Sequence, residues 1–397
     1  MAKRILIYTN HFYPEQFKIN EIVEWLSSEN THIRVITGLP NYPSGNLIKN
    51  YKNIYKSNVT INRLLLVPRG VGSTLMLIIN YVTYFISCFF FTIYIAIFKK
   101  KYDIIFVHHT SPFFISIHPI VYSLFYKSKK IIWDLDIWPE SLKAVNIIKS
   151  AFLFSTIKSF VELIYSKYDS ILVGSRPLVN VVKNRFNGRV IYFPNWADKI
   201  IEDNKIDDED LLSINTEKFN IVYTGNIGKA QDFESLLKTI GNVQENIHWT
   251  FIGGGRFKSQ LKRLIEINSL TTKVTFVDQV NINLIPNIAN KADALFLSLK
   301  SDEIFSKTVP AKLQVYMALG KPIIGMLNGE GAKIINEADC GIVEENYNYE
   351  ELAKKINSFA SKTKPELIRK GDNGKNYYFK HYSSLIRKKE ILNLINE

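Results

Sequence analysis

The chain has 397 residues, a length that predicts two domains, and 46% of them are hydrophobic, which is enough for two cores. The formal net charge of +13 favours an anionic partner, either nucleic acid, a membrane surface or a phosphorylated ligand. The two cysteines, Cys88 and Cys340, belong to no CxxC or Cys/His cluster, which argues against a disulfide scaffold and the common zinc sites.

Short apolar segments alternate with helical ones through the first half of the chain. The pattern predicts strands over 4–10, 33–38, 63–68, 102–109, 130–136, 170–175 and 189–195. Helices are predicted between them over 20–28, 74–98, 151–166 and 177–184. This alternation is typical of a parallel sheet covered by helices on both faces. The opening sequence MAKRILIYTNHFYP is not expected to be a signal peptide, because its apolar run is only about five residues long.

One predicted helix is apolar enough to raise the question of a membrane. No charged residue occurs within 70–98, and Lys-Lys-Lys follows, a pattern that could span a bilayer with a basic cytoplasmic flank. Asn80, Thr83, Ser87 and Tyr94 nevertheless recur at helical spacing as a slightly polar stripe, and the strand at 102–109 is needed for the same sheet as the earlier strands. We therefore predict a crossover helix whose outer face contacts lipid, with simple burial and spanning as the alternatives.

The sequence pattern changes at 198–218, an acidic segment without clear periodicity that we predict to be a linker. The alternation then restarts. Strands are predicted over 219–228, 247–255, 273–278, 292–299, 321–327 and 341–346, and helices over 233–239, 258–267, 284–290, after Pro310 and over about the last 30 residues. We therefore predict two doubly wound domains, 1–197 and 219–375, and a C-terminal helix, 376–397, that packs back on the first domain.

Three loops of the second domain lie where predicted strands end or a helix begins: YTGNIGKAQ, GGGR and FSKTVPAK. Glycine lets the backbone approach a ligand, and amides at a helix start bind phosphate. None of the three is a P-loop or GxGxxG, and each alone is compatible with an ordinary turn. Lys229, Lys307 and Lys312 could supply positive charge. Because the macrodipole favours acidic residues at a helix start, cations before and within the Pro310 helix indicate a bound anion.

Two stretches of the second half, VPAKLQVYMALGKPIIG and NGEGAKIINEADCGIVEE, resemble the donor-binding region of retaining glycosyltransferase family 4. In the first half, HFYPEQFKINEIVEWL, VITGLPNYPSG and DIWPESL are similar to the bacterial branch that builds O-antigen and capsule and includes N-acetyl-L-fucosamine transferases. The resemblance covers nearly the whole chain. It implies an α/β fold of the GT-B type, in which two Rossmann-like doubly wound domains face a central cleft.

The resemblance assigns the sugar donor to the second domain. It implies that a nucleotide diphosphate lies at the start of the Pro310 helix, with Lys312 and Lys229 as catalytic cations. Charge developing on the leaving diphosphate would then be stabilised without a metal. The predicted donor-binding residues are Gly225, Asn226, Gly228, Gly253, Gly254, Lys307, Thr308, Val309 and Glu330.

The sequence departs from the family pattern at two glutamates that many members carry with seven residues between them. Lys307 stands at the first of these positions and Val315 at the second, which usually holds the ribose hydroxyls. Glu330 is predicted as a substitute for that contact. The arginine usual after the first glycine of the first loop is Asn226 here, and Lys229 is expected to take over its diphosphate role.

Residues at the strand ends of the first domain are predicted to line the acceptor side. They are His11, Tyr13, Glu15, Asn41, Tyr42, His109 and Glu140. Asp136 is predicted to orient the acceptor hydroxyl or to stabilise positive charge at the anomeric carbon. Structural roles remain alternatives for His11, for Lys312 and for Glu140, which could simply favour a helix dipole. Asp134 and Asp136 also match the metal-binding DxD of GT-A transferases, but a bare DxD is a weak signal and the second Rossmann-like unit argues against GT-A.

Together these features predict a retaining hexosyltransferase of O-antigen, capsule or lipopolysaccharide biosynthesis, cytoplasmic and peripherally bound to the inner face of the cell membrane. The expected donor is a UDP-sugar, by resemblance an N-acetylamino sugar such as L-FucNAc, and the expected acceptor is a polyprenyl-diphosphate-linked saccharide. An anionic membrane surface is a further expected partner, and no metal or other cofactor is expected. One alternative is a GT-B-fold epimerase or phosphorylase acting on soluble substrates. The other is a nucleic-acid binder, which the absence of RNP, KH and zinc-finger patterns disfavours.

Overall fold

The computed structural model describes residues 2–27, 30–70, 73–144, 146–204 and 217–397, and for Lys229 the backbone alone. The chain divides into two compact units, residues 1–193 with 388–397, and residues 194–387. The predicted linker at 198–218 begins with a short helix, α7 in chain order (Lys199–Asp203). Most of that linker, 205–216, lies outside the described residues.

The first unit is built on a sheet of seven parallel strands. These are β1 (Lys3–Thr9), β2 (Thr31–Gly38), β3 (Val59–Leu64), β4 (Ile104–His109), β5 (Lys129–Asp134), β6 (Ser170–Val173) and β7 (Arg189–Tyr192). Their order is β3-β2-β1-β4-β5-β6-β7, which confirms the predicted doubly wound sheet. The chain runs outward in both directions from β1 and β4, so their carboxyl ends form the switch point at which such sheets bind ligands.

Helices connect these strands and cover both faces of the first sheet. They are α1 (Ile19–Ser27), α2 (Thr74–Phe98), α3 (His118–Tyr122), α4 (Glu140–Ala144), α5 (Ala151–Tyr165) and α6 (Arg176–Lys183), with a 3₁₀ helix at Phe113–Ile117. The serine side chains of Ser150 and Ser175 accept hydrogen bonds from backbone amides in the first turns of α5 and α6. Such caps satisfy amides that a helix start would otherwise leave unpaired, which fixes where these helices begin.

The strand predicted at 63–68 was placed too far along the chain, because β3 ends at Leu64. The residues that follow are bonded by side chains of α2 instead of by a neighbouring strand. Asn80 donates to the Val67 carbonyl oxygen at 2.6 Å, and Ser87 donates to the Leu65 carbonyl oxygen at 2.7 Å. The apolar run RLLLVP therefore lies against a helix, which a period-2 pattern cannot distinguish from a buried strand.

The helix α2 is the crossover between β3 and β4, as predicted, and several of its buried side chains are polar whereas its exposed face is apolar. Its inner face carries Asn80, Tyr84 and Thr92, all buried. Tyr84 donates to the Thr9 carbonyl oxygen at 2.9 Å, and Thr92 lies 3.1 Å from the Tyr8 hydroxyl. The outer face carries the exposed residues Leu75, Ile78, Val82, Ile86, Phe90, Tyr94 and Ile97, called here the outer stripe of α2. α2 is long and apolar enough to cross a membrane, but only by length and composition.

The second unit repeats the architecture with six parallel strands. They are β8 (Phe219–Thr224), β9 (Ile247–Ile252), β10 (Val274–Val277), β11 (Ala294–Ser298), β12 (Ile323–Met326) and β13 (Gly341–Glu344). The order β10-β9-β8-β11-β12-β13 places the switch point at β8 and β11. All six residues of β8 are buried, as expected for a central strand covered on both faces.

The helices of the second unit flank that sheet. They are α7, α8 (Phe233–Asn242), α9 (Lys258–Ile267), α10 (Ile285–Lys291), α11 (Glu303–Ser306), α12 (Ala311–Ala318), α13 (Glu330–Glu337), α14 (Tyr349–Ala360), α15 (Lys364–His381) and the start of α16 (Ser384–Asn396), with 3₁₀ helices at Lys229–Gln231 and Ile282–Leu284. Sequence periodicity did not predict α13 or α14. α12 buries the polar Gln314 beside Leu313.

The end of α16 belongs to the first unit. Lys3 donates to the Ile395 carbonyl oxygen at 2.6 Å, and Lys129 donates to the Leu394 carbonyl oxygen at 2.9 Å. Cations at the last turn of a helix satisfy its unpaired carbonyls and favour its dipole. These two lysines therefore anchor the terminal turn beside the amino ends of β1 and β5.

Candidate functional site

Two loops at the carboxyl edge of the second sheet pack backbone against backbone through glycine. Gly225 follows β8, and Gly253 and Gly255 follow β9, each with a positive φ, of 121°, 139° and 147°. A Cβ atom on Gly253 would lie 2.1 Å from the Gly225 carbonyl oxygen, and one on Gly255 would lie 2.2 Å from that of Ile227. Only glycine allows both the φ values and the close approach, so the primary role of these glycines is to let the backbones of the two loops pack together.

Lys312, the second residue of α12, lies against the first of these loops. Its Nζ donates to the Tyr223 hydroxyl at 2.6 Å and lies 4.4 Å from that ring's centroid. The Tyr223 hydroxyl donates in turn to the Asn226 carbonyl oxygen at 2.6 Å. A Cβ atom at Gly225 would come within 2.6 Å of the Lys312 Cε, so glycine leaves room for the lysine side chain. The structure thus brings together three predicted donor-site residues.

The Lys312 ammonium is a largely buried charge, and within the described ranges it forms no ion pair with a carboxylate. Burial lowers its pKa to about 8, because the charged form has lost hydration without gaining an opposite charge. A buried cation costs free energy unless an anion accompanies it. The site therefore favours an anionic ligand next to the start of α12.

The N-terminus of α13 packs against the loop that precedes α12. Gly329 has a φ of 70°, and a Cβ atom there would lie 2.0 Å from the Ser306 carbonyl oxygen. A Cβ atom on Gly331 would meet the Pro310 Cδ at 3.4 Å. Glu330, between these glycines, is buried at the first position of α13. The structure therefore lays Glu330 beside the loop that carries the predicted donor-binding residues.

The other predicted residues of that loop have their side chains engaged locally. Lys307 Nζ lies 2.7 Å from Oε1 of Glu303, which is exposed, so this ion pair is weak. The Thr308 hydroxyl donates to the Ile304 carbonyl oxygen at 2.8 Å, and Val309 is buried. Thr308 and Val309 can therefore contact a ligand mainly through their backbone, whereas Lys307 can exchange its partner.

The remaining donor-side predictions lie on the same two loops. The Gly228 amide donates to Oε1 of Gln231 at 3.0 Å, and the Gly254 carbonyl oxygen accepts from the Ile227 amide at 2.7 Å. Lys229 begins the 3₁₀ helix Lys229–Gln231, but its side chain lies outside the described part of the chain. The diphosphate role of Lys229 stays a prediction.

In the first unit, Glu15 connects two loops at the carboxyl edge of the sheet through hydrogen bonds. Its Oε1 accepts from the amides of Asn41 and Tyr42 at 2.8 and 2.7 Å. Its Oε2 lies 2.9 Å from Nδ1 of His11. Burial opposes ionisation of Glu15, but the hydrogen bonds from His11 and these amides outweigh it and lower its pKa. Four predicted acceptor-side residues thus form one cluster, in which Glu15 positions the others.

Three further predicted acceptor-side or catalytic residues lie in other parts of the first unit, and each has contacts of its own. The Tyr13 ring packs edge-on against Tyr51 and Tyr55. Asp136 accepts from the Ser111 amide at 2.8 Å through Oδ2. Glu140, the first residue of α4, lies 3.1 Å from Nη2 of Arg185. The contacts of Glu140 are therefore those of a helix-start residue held by an ion pair, which favours its structural role over acceptor binding.

His109 and Asp134 face the interior and contact each other. His109 Nδ1 lies 2.7 Å from Oδ1 of Asp134, both side chains are fully buried, and Tyr165 donates to Oδ2. Burial opposes ionisation of Asp134, but the nearby His109 and the Tyr165 hydrogen bond outweigh it and lower its pKa. The first carboxylate of the DxD pattern is thus engaged by His109 and Tyr165, and no set of metal ligands occurs among the described residues.

Three residues of these clusters were not predicted from the sequence. Tyr223 orients Lys312 but belongs to a strand, where an aromatic residue is ordinarily core. Arg69 donates to Nε2 of His11 at 2.8 Å from a loop without a motif, and Tyr81 stacks on it from α2. The one available signal was Arg69 itself, a lone charge directly before an uncharged stretch of 29 residues that runs from Gly70 to Phe98.

Comparison with known proteins identifies the second unit. Residues 204–377 match the family model described as "Glycosyl transferases group 1". Over 337 residues the chain is 23% identical to WcaI of Escherichia coli (strain K12), whose name describes a colanic acid biosynthesis glycosyl transferase, and the match covers 80% of this chain and 81% of WcaI. Residues 204–377 thus carry a group 1 glycosyltransferase domain. The resemblance inferred from its motifs is thereby confirmed.

Solved structures confirm the predicted GT-B fold. Sucrose-phosphate synthase from Thermosynechococcus elongatus matches with a TM-score of 0.75 and 15% identity, over 100% of this chain and 98% of that one. Alr3699/HepE of Anabaena, solved with UDP and glucose, matches with a TM-score of 0.69 and 11% identity, over 100% of both chains. At such identities the likeness concerns the fold of two parallel-sheet domains.

The first pH-dependent prediction concerns Lys312. If its ammonium contacts a diphosphate, UDP will bind mainly the protonated form, and binding will raise the lowered pKa. The dissociation constant for UDP should therefore be constant near pH 7 and rise above the pKa of about 8, by up to tenfold per pH unit. Phosphate ionisation is complete by then, since its second pKa is about 6. Calorimetric titration at pH 7, 8 and 9 measures the slope.

Lys312→Arg is the matched control for that titration, because a guanidinium stays charged throughout this range. Its UDP affinity should not change between pH 7 and 9. A slope of equal size in both proteins would assign the titration to another group, and a flat wild-type profile would remove Lys312 from the donor site.

Proposed function

We propose that this glycosyltransferase moves a sugar from a UDP-sugar to a saccharide linked through diphosphate to a polyprenyl lipid, at the cytoplasmic face of the cell membrane. The observation that carries the lipid part is the apolar exposed face of α2. Its polar residues Asn80, Tyr84 and Thr92 face the protein, whereas the outer stripe of α2 is apolar and exposed. In water the exposed face of a helix is normally the polar one.

An anionic bilayer surface is the occupant that best fits this face. Lys99, Lys100 and Lys101 follow the helix directly, and basic residues beside an apolar surface favour anionic lipid. The apolar surface continues beyond α2. Phe85 contacts Phe114 at 6.3 Å between ring centroids, and Phe114 contacts Phe160 of α5 at the same distance. Helix α5 adds further exposed apolar side chains, Phe152, Leu153 and Leu163.

The inner face of α2 argues for lying on the membrane over spanning it. Its side chains are hydrogen-bonded to the backbone of β1 and of the segment after β3. Spanning would either separate these side chains from their backbone partners or draw the neighbouring strands and loops into hydrocarbon, where their unpaired backbone groups have no water to bond. We therefore propose peripheral association, with the outer stripe of α2 in the lipid interface.

The donor assignment rests on the second unit. The uncompensated ammonium of Lys312 at the start of α12, beside the Gly225 loop, suits a diphosphate. Structures of similar fold were solved with UDP and with a UDP-sugar analogue, UDP-2-fluoro glucose. As the sugar–phosphate bond breaks, negative charge grows on the diphosphate, and a fixed cation there stabilises the transition state more than the ground state. Lys312 would supply that cation in a retaining transfer without a metal, and Lys307 and Lys229 are proposed as further cations of the donor site.

The acceptor assignment rests on the cluster around Glu15. His11, Asn41 and Tyr42 surround its carboxylate at the carboxyl edge of β1 and β2, the region where doubly wound sheets bind ligands. Asp136 would orient the acceptor hydroxyl. The similarity to WcaI supports a surface polysaccharide such as O-antigen or capsule as the product, and an N-acetylamino sugar such as L-FucNAc stays a hypothesis about the donor.

The test separates nucleotide binding from transfer. Thermal stability is measured with UDP, GDP, dTDP and CMP, each with and without EDTA, because a ligand that binds only the folded state raises its stability. UDP should give the largest shift, unchanged by EDTA. A panel of labelled UDP-sugars is then incubated with purified enzyme and lipid-diphosphate acceptors, and label is counted in the organic phase.

Product analysis decides between the proposed transfer and its rivals. Label in the lipid phase with the donor's anomeric configuration retained is the expected result. Conversion of the UDP-sugar without lipid labelling would indicate an epimerase or phosphorylase. A shift with GDP or dTDP instead of UDP, or a shift abolished by EDTA, would contradict the proposed donor chemistry.

A further inference from the structure

Arg69 occupies an unusual place in the first unit, between β3 and α2. Its guanidinium lies 5.7 Å from the ring centroid of Tyr42 and 5.4 Å from that of Tyr81. Its Nη2 donates to Nε2 of His11 at 2.8 Å. Two aromatic rings and an imidazole thus hold a planar cation in one orientation.

The hydrogen bonds of this cluster fix the charge of His11. A guanidinium has donors only, so Nε2 of His11 must accept and carries no proton. The proton is then on Nδ1, which donates to Glu15 at 2.9 Å. Burial lowers the pKa of His11, in agreement with a neutral ring. His11 is therefore neutral, and it neither adds to the positive charge of Arg69 nor compensates it.

The charge of Arg69 has no carboxylate counterpart within the described ranges. Glu15, the carboxylate on the far side of His11, is already occupied by the amides of Asn41 and Tyr42 and by His11. Asp136 accepts from the Ser111 amide. The Nε of Arg69 is buried and makes no hydrogen bond. A buried donor on an uncompensated cation is costly unless a ligand supplies the acceptor.

We infer that Arg69 binds a phosphate or diphosphate group on an amphiphilic acceptor. A guanidinium offers paired N–H donors that match phosphate oxygens. The inference rests on the proposed lipid-linked acceptor and assigns the binding of its head group to Arg69.

The position of Arg69 relative to α2 fits such a ligand. Arg69 stacks on Tyr81, a residue of α2, and the outer stripe of α2 begins at Leu75, within two turns of Tyr81. A head group at Arg69 would leave its hydrocarbon chain beside an apolar exposed helix face. Charge recognition and apolar contact are then supplied by adjacent parts of one unit.

The experiment is a binding titration of the full-length protein with farnesyl diphosphate, inorganic pyrophosphate and farnesol. Excess UDP is present throughout to occupy the donor site. The variants are Arg69→Gln, Arg69→Lys and the control Arg189→Gln, which removes an exposed arginine of β7 that pairs with Glu397. Melting temperature and the UDP-induced shift are measured for each variant.

We expect wild type and Arg189→Gln to bind farnesyl diphosphate most tightly, pyrophosphate more weakly and farnesol least. Arg69→Gln should weaken diphosphate binding at least tenfold while leaving the UDP shift unchanged, and Arg69→Lys should fall between. Preference for pyrophosphate over farnesyl diphosphate would indicate a free-phosphate site and contradict the amphiphilic ligand.

Failure of this inference is distinguishable from failure of the proposed function. Farnesyl diphosphate bound equally by wild type and Arg69→Gln, with lipid labelling intact, would overturn the role of Arg69 alone. If Arg69→Gln does not fold, equal binding by wild type and Arg69→Lys overturns it instead. No UDP shift in any protein would overturn the proposed function.

Discussion

Lys312→Met should abolish sugar transfer without destabilising the fold. Fixed charges at a developing oxyanion or diphosphate contribute about 10²–10³ in kcat, so a loss of at least 100-fold is expected. UDP affinity should fall by roughly 10- to 100-fold, the range of a charge-assisted hydrogen bond of about 1.5–3 kcal/mol. Turnover is measured with the labelled UDP-sugar and UDP binding by calorimetry.

The stability of this variant is expected to change in the opposite direction from its activity. Burial lowers the pKa of Lys312 to about 8 from 10.5, so at pH 7 the folded state holds an ammonium that it disfavours by on the order of 3 kcal/mol. Methionine removes that charge and keeps the volume, at the cost of the Tyr223 hydrogen bond, worth about 1 kcal/mol. The melting temperature should therefore stay level or rise.

The pH dependence of that stability difference has a defined sign. Because the folded-state pKa of Lys312 lies below its unfolded value, the unfolded chain binds more protons between about pH 8 and 10.5. Wild type should therefore gain stability relative to Lys312→Met as pH rises through this window. Lys354→Met, at an exposed position of α14, is the control and should change neither activity nor stability. Turnover within threefold of wild type would remove Lys312 from the mechanism.

The sequence was a good guide wherever a periodic signal and its structural cause coincide. The alternation of short apolar strands with helices predicted both parallel sheets, because strands buried on both faces are apolar throughout. The helix at Lys258–Ile267 was predicted to its exact ends. The error at β3 arose because RLLLVP is apolar for another reason: it packs against α2, whose Asn80 and Ser87 bond its backbone.

The candidate sites were predicted unevenly, for a physical reason. Motifs identify residues that are consecutive in the chain, so Gly225, Asn226 and Lys312 were found by their loops. Side-chain networks assembled from distant segments leave no such pattern. Arg69 meets His11 across 58 positions, and Asp134 meets His109 across 25. The sequence therefore could not distinguish His109, which faces the interior, from His11, which faces the Glu15 cluster.

The α2 prediction tests whether the enzyme lies on a membrane. Ile86→Glu with Phe90→Glu should reduce binding to anionic vesicles by at least 100-fold and leave the soluble fold intact. Both side chains belong to the outer stripe of α2, and Phe90 is 66% exposed, so the carboxylates would face water in the free protein. In the bound protein each substitution would remove about 1.5–3 kcal/mol of favourable transfer free energy of the apolar side chain. It would also place a carboxylate in contact with lipid, which is unfavourable. Co-sedimentation with vesicles of defined composition measures binding.

Two matched controls isolate the effect of position from that of charge. Ile267 and Ile368 are exposed apolar residues of the second unit, at 65% and 54%, and Ile267→Glu with Ile368→Glu adds the same charge elsewhere. This control should bind vesicles within about twofold of wild type, allowing for screened long-range electrostatics. Replacing Lys99, Lys100 and Lys101 by glutamine should weaken binding to anionic vesicles by about 1 kcal/mol per lysine and make it less sensitive to salt.

The same variants discriminate lying on the membrane from spanning it. A peripheral protein leaves the membrane pellet at high salt and alkaline pH, and the Ile86→Glu, Phe90→Glu variant should already be soluble in the cell. A spanning helix would resist both extractions, and two carboxylates would then block insertion and unfold the first unit. Retention of wild type in the carbonate-washed pellet would therefore overturn the peripheral arrangement. Equal activity of the variant towards lipid-linked and short-chain acceptors, with wild type preferring the lipid, would locate the acceptor's hydrocarbon on α2.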